Sequence, residues 1–311
     1  MTKLTKQQSK LHLQAMDLVH SDRALSWDER KFILDNYFEA QGQLNALAGA
    51  FFTPFDLARD LSIEVGGGVL DNNGSVVDLC AGIGMLSFAC EYKRLDITCV
   101  EFCHEYVVVG KRVVPSAHWI EADVFAADLG HYAFAISNPP FGAIKGDQFK
   151  GRYTGGQFEY KVIELASRVA EFGVFILPQQ SAPFRYSGVQ CYRTEESDKC
   201  RKFWQQTGID MQPSCGIDTS IYVSEWKGVS PICEVVCCDF TELPALQAEM
   251  DAAGGERQKP LPPGGLAETI QVLVECKQAG LFGDNPAPAP ATRRHRRDRK
   301  EVVERQARMA L

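Results

Sequence analysis

Tyr132-Ala133-Phe134-Ala135-Ile136 runs straight into Ser137-Asn138-Pro139-Pro140-Phe141-Gly142, and the reading of that passage decides the fold. A short apolar run stopped by Pro-Pro-aromatic-Gly reads as a buried strand that ends abruptly and presents one polar side chain, Asn138, at its carboxyl end. That end of the strands is where open α/β sheets hold their ligands. Taken alone, Asn-Pro is also an ordinary turn starter; the residues upstream choose between the two.

The residue types suit a flat, amine-bearing ring. The Asn138 carboxamide oxygen is an acceptor, and so is the Pro139 carbonyl, which the following proline holds in a fixed direction. Two acceptors on one NH2 favour a tetrahedral nitrogen with an available lone pair. Phe141 adds a π-face, worth about 1–3 kcal/mol if a base stacks on it.

Upstream, Ser75-Val76-Val77-Asp78-Leu79 reads as a buried strand, and Cys80-Ala81-Gly82-Ile83-Gly84 as a glycine turn opening a helix through Met85, Leu86, Phe88 and Ala89. Glycines there let the backbone turn tightly and approach a ligand. Ser87 stands where a dinucleotide fingerprint requires a third glycine. Asp78 suits an ammonium or a water network better than a pyrophosphate. Asp96-Ile97-Thr98-Cys99-Val100 is a second strand ending at Glu101, near the spacing at which an acidic residue receives ribose hydroxyls. His118 to Phe125 reads as the third strand, with Asp123 placed to accept from an adenine amine, and the run ending at Asn138 as the fourth.

Before these, Phe51-Phe52-Thr53-Pro54 leads into a helix through Leu57, Ala58 and Leu61. Thr53 with Pro54 fits an N-cap followed by proline at the first helical position; it also fits a helix start whose free backbone donors hold a carboxylate. Further back, Leu4 to His20 has helical spacing, and Ser26 with Glu29 forms a capping box that starts a second helix.

In this order the motifs resemble the class I S-adenosylmethionine-dependent methyltransferases, and within them the amino-methyltransferases that carry Asn/Asp-Pro-Pro-Phe/Tyr. The Asp78-x-x-x-Gly82-x-Gly84 element alone is weak; its pairing with Asn-Pro-Pro-Phe about fifty-five residues later is specific. The resemblance covers about residues 50 to 240. It implies a Rossmann-like α/β fold, a seven-stranded sheet with a terminal antiparallel hairpin. S-adenosyl-L-methionine is the implied cofactor, with Phe52, Thr53 and Pro54 at its methionine end, Asp78, Cys80, Gly82 and Gly84 around it, Glu101 on the ribose, and Asp123 with Val124 or Phe125 at the adenine. Asn138, Pro139, Pro140 and Phe141 fall at the acceptor base, Asn138 also bordering the cofactor. The implied reaction is methylation of the exocyclic amino group of adenine, in DNA before RNA, because the Thr-Pro segment and the motif order look like DNA adenine methylases. Small ribosomal-RNA adenine methylases also keep Asn-Pro-Pro-Phe-Gly. Methylation of a protein glutamine and a non-catalytic cofactor-binding scaffold stand behind these.

Downstream, Ala143 to Gly156 reads as a basic loop beside the site, with Lys145, Lys150 and Arg152 as phosphate contacts or as solvated charges. A helix over Phe158 to Glu171 and a strand over Gly173 to Leu177 follow. Gln179 to Arg193, carrying Arg185, reads as a second loop over the site and as a further nucleic-acid contact. A helix near Glu195 to Gln206 precedes two β-rich runs, Gly216 to Trp226 and Ile232 to Phe240, expected to pair as the hairpin. Target-reading domains usual in specific DNA methylases have little room after Phe240, so low sequence selectivity is expected.

The expected organisation is a helical extension over 1–49, the catalytic domain over 50–240, a short helical extension over 241–283, and a Pro/Ala linker with a basic tail over 284–311. The formal charge is −7, yet Arg293 to Leu311 holds eight Lys/Arg against three Asp/Glu, a local +5 that leaves −12 elsewhere. The tail therefore reads as an electrostatic arm for nucleic acid or as a solvated tail. Eleven cysteines contain no Cys-x-x-Cys, and the six histidines form no ligand pattern, so reduced buried thiols and no metal site are expected. No stretch is long and apolar enough to span a membrane, nor does the amino terminus read as a secretion signal; a cytoplasmic enzyme is expected.

Overall fold

Period-2 burial sorts the strand residues into two apolar layers. Val76, Ile97, Phe134, Ile136, Val174, Ile176 and Val235 join one core, while Val77, Leu79, Val100, Ala135, Phe175, Leu177 and Val236 join the other. A sheet apolar on both faces needs helices on both faces. The computed structural model describes residues 4–38, 51–66, 74–144 and 147–252.

The parallel strands are β1 (Ser75–Leu79), β2 (Asp96–Glu101), β3 (His118–Glu121), β4 (Tyr132–Ser137) and β5 (Ala170–Pro178). A two-residue ribbon, β6 (Phe184–Arg185) with β7 (Arg193–Thr194), stands apart. β8 (Gln212–Pro213) and β9 (Cys233–Asp239) complete a seven-stranded sheet in the order β3-β2-β1-β4-β5-β9-β8, with β9 antiparallel to both neighbours. Strand order reverses between β1 and β4, the switch point where a crevice opens beyond the strand ends.

On the first face lie α3 (Phe55–Glu64), α4 (Met85–Cys90) and α5 (His104–Val113); on the second, α6 (Phe158–Val169) and α7 (Asp198–Thr207). Fully buried Leu57, Leu61, Tyr160 and Phe203 anchor these layers, each contributing on the order of 1.5–3 kcal/mol. The amino-terminal pair, α1 (Lys6–Val19) and α2 (Trp27–Asn36), starts at two capping boxes, Thr5/Gln8 and Ser26/Glu29. The pair docks on the outside of α5 rather than on the sheet. One Arg30 nitrogen, Nη1, donates to both Glu91 oxygens and to the Val113 carbonyl, and Arg112 donates to the Ser21 and Arg23 carbonyls. α8 (Leu243–Ala252) lies where the sequence placed it, Gln247 reaching the Thr207 carbonyl.

Two expectations are corrected, and one of the two readings of Thr53 falls away. The third strand stops at Glu121 instead of Phe125, because the Asp123 carboxylate accepts from Phe125 N and its carbonyl from Ala126 and Ala127 N, which turns the chain out of the ladder. Gly216 to Trp226 is not the first arm of the hairpin. Asp218 accepts from Ser220 N and starts a short 3-10 turn over Thr219–Tyr222, and Thr219 Oγ1 bonds Cys233 O, so the edge strand paired with β9 is Gln212–Pro213. Thr53 does not cap α3: the N-cap is Pro54, with no side-chain cap bond. The rest of the expected helical extension, residues 253–283, the Pro/Ala linker and the basic tail lie outside the described residues.

Candidate active site

The parallel register of β1 and β4 sets Asp78 opposite Ile136, and Ser137 Oγ donates to the Leu79 carbonyl, so Cys80 and Asn138 leave the sheet side by side. Phe51, Phe52, Thr53, Asp78, Cys80, Gly82 and Asn138 line one small cavity of about 30 Å3 that opens to solvent. The first glycine turn and the end of the fourth strand thus meet in one place.

Gly82 has φ +55° and Gly84 φ +87°, left-handed values that disfavour a side chain. A Cβ on Gly84 would also press on Trp119 and Val114 at 3.2 Å. Cys80 takes φ +63° without being glycine, a sparsely populated conformation at the mouth of the cavity. The Phe52 ring lies over Gly82 and is backed edge-on by Tyr106 at 5.3 Å and Tyr37 at 5.8 Å.

Two residues lining this cavity each carry a buried oxygen without a partner. Asp78 is 1 % exposed; Ser87 Oγ donates to its Oδ2 at 2.7 Å, while Oδ1 is bare. Burial raises this carboxyl to about 7, and the Ser87 bonds only partly offset that. Asn138 Nδ2 donates to the Phe51 carbonyl and to Thr53 Oγ1, both at 2.9 Å, and its Oδ1 is buried without a donor. Unsatisfied buried polar atoms are few in folded proteins and mark places where a ligand or water is wanted.

Glu101 ends β2 and grips the turn: its Oε2 accepts from Gly82 N and its Oε1 from Cys103 N, both at 2.8 Å. Burial moves its carboxyl upward against these bonds. Each oxygen keeps a lone pair for a further donor. Val124 is buried, and Asp123 uses one oxygen in its turn. Phe125 faces Phe149 and Phe158, each at 5.1 Å, in the core of the second face.

Phe141 is half-buried, its ring edge-on to Phe51 at 6.1 Å. Beyond it, Gly142 N donates to Glu159 Oε2 and Ser181 Oγ to Glu159 Oε1, so one buried carboxylate from α6 ties the turn after β4 to the loop after β5.

The basic residues separate. Arg185 stands on the ribbon after β5, paired with Glu195 at 2.7 Å. Arg152 forms a two-pronged pair with Asp251 and lines a surface depression with His131 and Glu171, which precede or begin β4 and β5. That is the opposite end of the strands from Asn138. The Lys150 carbonyl receives Arg168, so this part of the loop is held there too. Lys145 lies outside the described residues.

Sequence reasoning missed Phe102. It follows Glu101 directly and is 77 % exposed, a large apolar surface at the carboxyl edge of the sheet. The available signal was its position after a strand-end acid, where the chain must leave the sheet. Among the described residues no group of His, Cys, Asp and Glu could hold a metal ion, and no helix is long and apolar enough to cross a membrane.

No family model and no curated protein matches the sequence. Solved structures do match. A putative class I S-adenosylmethionine-dependent methyltransferase from Listeria monocytogenes superposes with a TM-score of 0.51 at 13 % identity, over 88 % of this chain and 85 % of that one. A type I restriction-modification methyltransferase subunit from Streptococcus thermophilus gives 0.45 at 15 % identity, over 67 % of this chain and 49 % of that one. A putative RNA methyltransferase from Pyrococcus horikoshii gives 0.37 at 17 % identity, over 74 % and 97 %. The chain spans about half the length of the restriction-modification subunits it matches. At these identities the likeness is one of architecture, and the architecture is that of the class I S-adenosylmethionine-dependent methyltransferases.

Proposed function

We propose that the protein methylates the exocyclic amino group of adenine in nucleic acid, DNA before RNA, using S-adenosylmethionine. The observation that carries this reading is the pair of bare buried oxygens, Asp78 Oδ1 and Asn138 Oδ1, on two residues that line one cavity at the switch point. The residues fit the cofactor: a buried carboxylate for its ammonium, a left-handed glycine turn under Phe52, an acid at the end of β2 for ribose hydroxyls, and Asp123 with Val124 for the adenine. Phe102 is a further surface for that ring. When bound, S-adenosylmethionine supplies an electrophilic methyl group on a sulfonium.

Asn138 Oδ1 and the Pro139 carbonyl accept the two hydrogens of the target amine and turn its lone pair outward. Phe141 offers the target ring a face to stack on, which requires a base taken out of its duplex stack. Orientation and exclusion of water supply most of the rate, and no strong base is needed, because the proton leaves after the nitrogen has become cationic. Arg185, on the ribbon that follows the carboxyl end of β5, is the phosphate contact in this reading; its pair with Glu195 is partly exposed and exchangeable. DNA comes first because the Phe-x-Thr-Pro segment and motif order resemble DNA adenine methylases.

The test is expression in a host that lacks adenine methylation, with digested DNA and RNA analysed separately for methylated adenosine. Methylated DNA supports the reading, methylated RNA moves the substrate to RNA, and silence in both overturns it. Asn138→Ala is expected to abolish transfer, with cofactor affinity, measured by calorimetry, nearly unchanged; parallel loss of affinity would make Asn138 a structural residue.

A further inference from the structure

Thr53 sits next to Pro54, the cap of α3, yet its hydroxyl does not serve that helix. It is 5 % exposed and accepts from Asn138 Nδ2, as does the Phe51 carbonyl two residues earlier. Three features fix what these bonds do. A backbone carbonyl only accepts, so the carboxamide atom facing Phe51 O is the nitrogen, and Oδ1 is the atom left over. That Oδ1 is buried, without a donor, in a residue lining the cavity shared with Asp78 and Gly82. The terminal torsion of asparagine is broad and two-fold, so an unheld carboxamide could present NH2 to an incoming amine, donor against donor.

We propose that Thr53, with the Phe51 carbonyl, is a positioning residue that locks the Asn138 carboxamide with its oxygen toward the acceptor. The proposal rests on the functional reading for the word acceptor; the locking itself does not. Thr53 then acts through Asn138, a role separate from any contact with the cofactor. Thr53→Val keeps the branched shape and removes the acceptor, leaving one amide hydrogen of Asn138 unpartnered in a buried place. Thr53→Ser keeps the acceptor and drops a methyl group.

The experiment compares the full-length wild type, Thr53→Val, Thr53→Ala and Thr53→Ser. It reads kcat and KM for methyl transfer, calorimetric affinity for S-adenosylhomocysteine, and solvent exchange of the Asn138 side-chain amide in 15N-asparagine-labelled protein, assigned by its loss in Asn138→Ala. Thr53→Val and Thr53→Ala are expected to lower kcat about 10- to 100-fold, a larger factor than the loss of affinity for the cofactor product, given the cost of one unsatisfied buried donor. Thr53→Ser is expected to recover most of kcat. The amide signal should be protected in wild type and Thr53→Ser and exchange freely in the other two, and Thr53→Ala covers the case in which valine does not pack. Equal loss of affinity and turnover, unchanged amide exchange, or failure of serine to rescue would overturn the proposal. A wild type that methylates neither nucleic acid, with its amide protected through Thr53, would sink the substrate reading and leave the positioning role standing.

Discussion

Asp78 titrates in a range that experiment can reach. Its ordinary value of 3.8 is raised to about 7 by burial, so the folded protein holds this proton across a window where the unfolded chain has released it. Its contribution to stability therefore falls as pH rises from about 4 to about 7, by an amount approaching 1.4 kcal/mol per pH unit. A cationic ligand reverses the preference, since an ammonium stabilises the carboxylate. Binding of an aminoacyl sulfonium, measured by calorimetry between pH 5.5 and 8.5, is expected to tighten as pH rises through about 7, and Asp78→Asn to bind more weakly with a flatter profile. A wild-type profile as flat as the variant's would remove Asp78 from the ammonium site. At this scale the place of Asn138 at a strand end was legible, because the apolar run and its Pro-Pro-aromatic-Gly stop are local signals. The Thr53 bond was not, since it joins residues 85 positions apart and the local pattern pointed to a helix cap. Asp123 gave a local signal too, but its short carboxylate turned the backbone instead of extending the strand.

Among the elements, α5 shows how close packing reverses a propensity rule. Glycine inside a helix ordinarily costs about 0.5–1 kcal/mol relative to alanine. A Cβ on Gly110, however, would meet the Trp119 ring at 2.1 Å, and that ring is buried with its Nε1 donating to the Val114 carbonyl. Gly110→Ala is expected to destabilise by about 1–3 kcal/mol through overpacking, read as a lowered urea midpoint with unchanged slope. Stabilisation would mean that α5 can shift off β3. The parallel strands were readable as apolar runs because both their faces are buried. The edge of the sheet was not: Gly216 to Trp226 carries aromatic and β-branched residues that look like strand, while the true edge holds a proline, which local reasoning demotes. Its pairing is a tertiary fact, set by where Thr219 meets Cys233.

Across the whole molecule, the site depends on pieces that the chain delivers separately: the 51–53 segment, the turn after β1, the end of β2 and the turn after β4. The order of motifs anticipated their meeting; the outer layer was less readable. The amino-terminal helices were legible as helices, but their docking on α5 was not, because the polar groups that hold them have partners 61 and 83 residues away. Arg30 and Glu91 are mostly buried, so Arg30→Ala leaves a carboxylate and a carbonyl without their donor. A loss of about 1–3 kcal/mol is expected in chemical denaturation. An effect under about 0.5 kcal/mol, the level of an exposed pair, would show that the helices dock by apolar contact alone.

The two borders of the sheet carry a consequence for crowded solution. At one, β3 is four residues long and ends in the exposed carboxylate of Glu121; at the other, β8 is two residues long and one of them, Pro213, has no N–H to offer. Neither border is a template on which a strand from another copy could extend the ladder. Crowded copies therefore lack a ready rim at which to fuse, and protection against fibre growth is written into the outermost residues of the sheet.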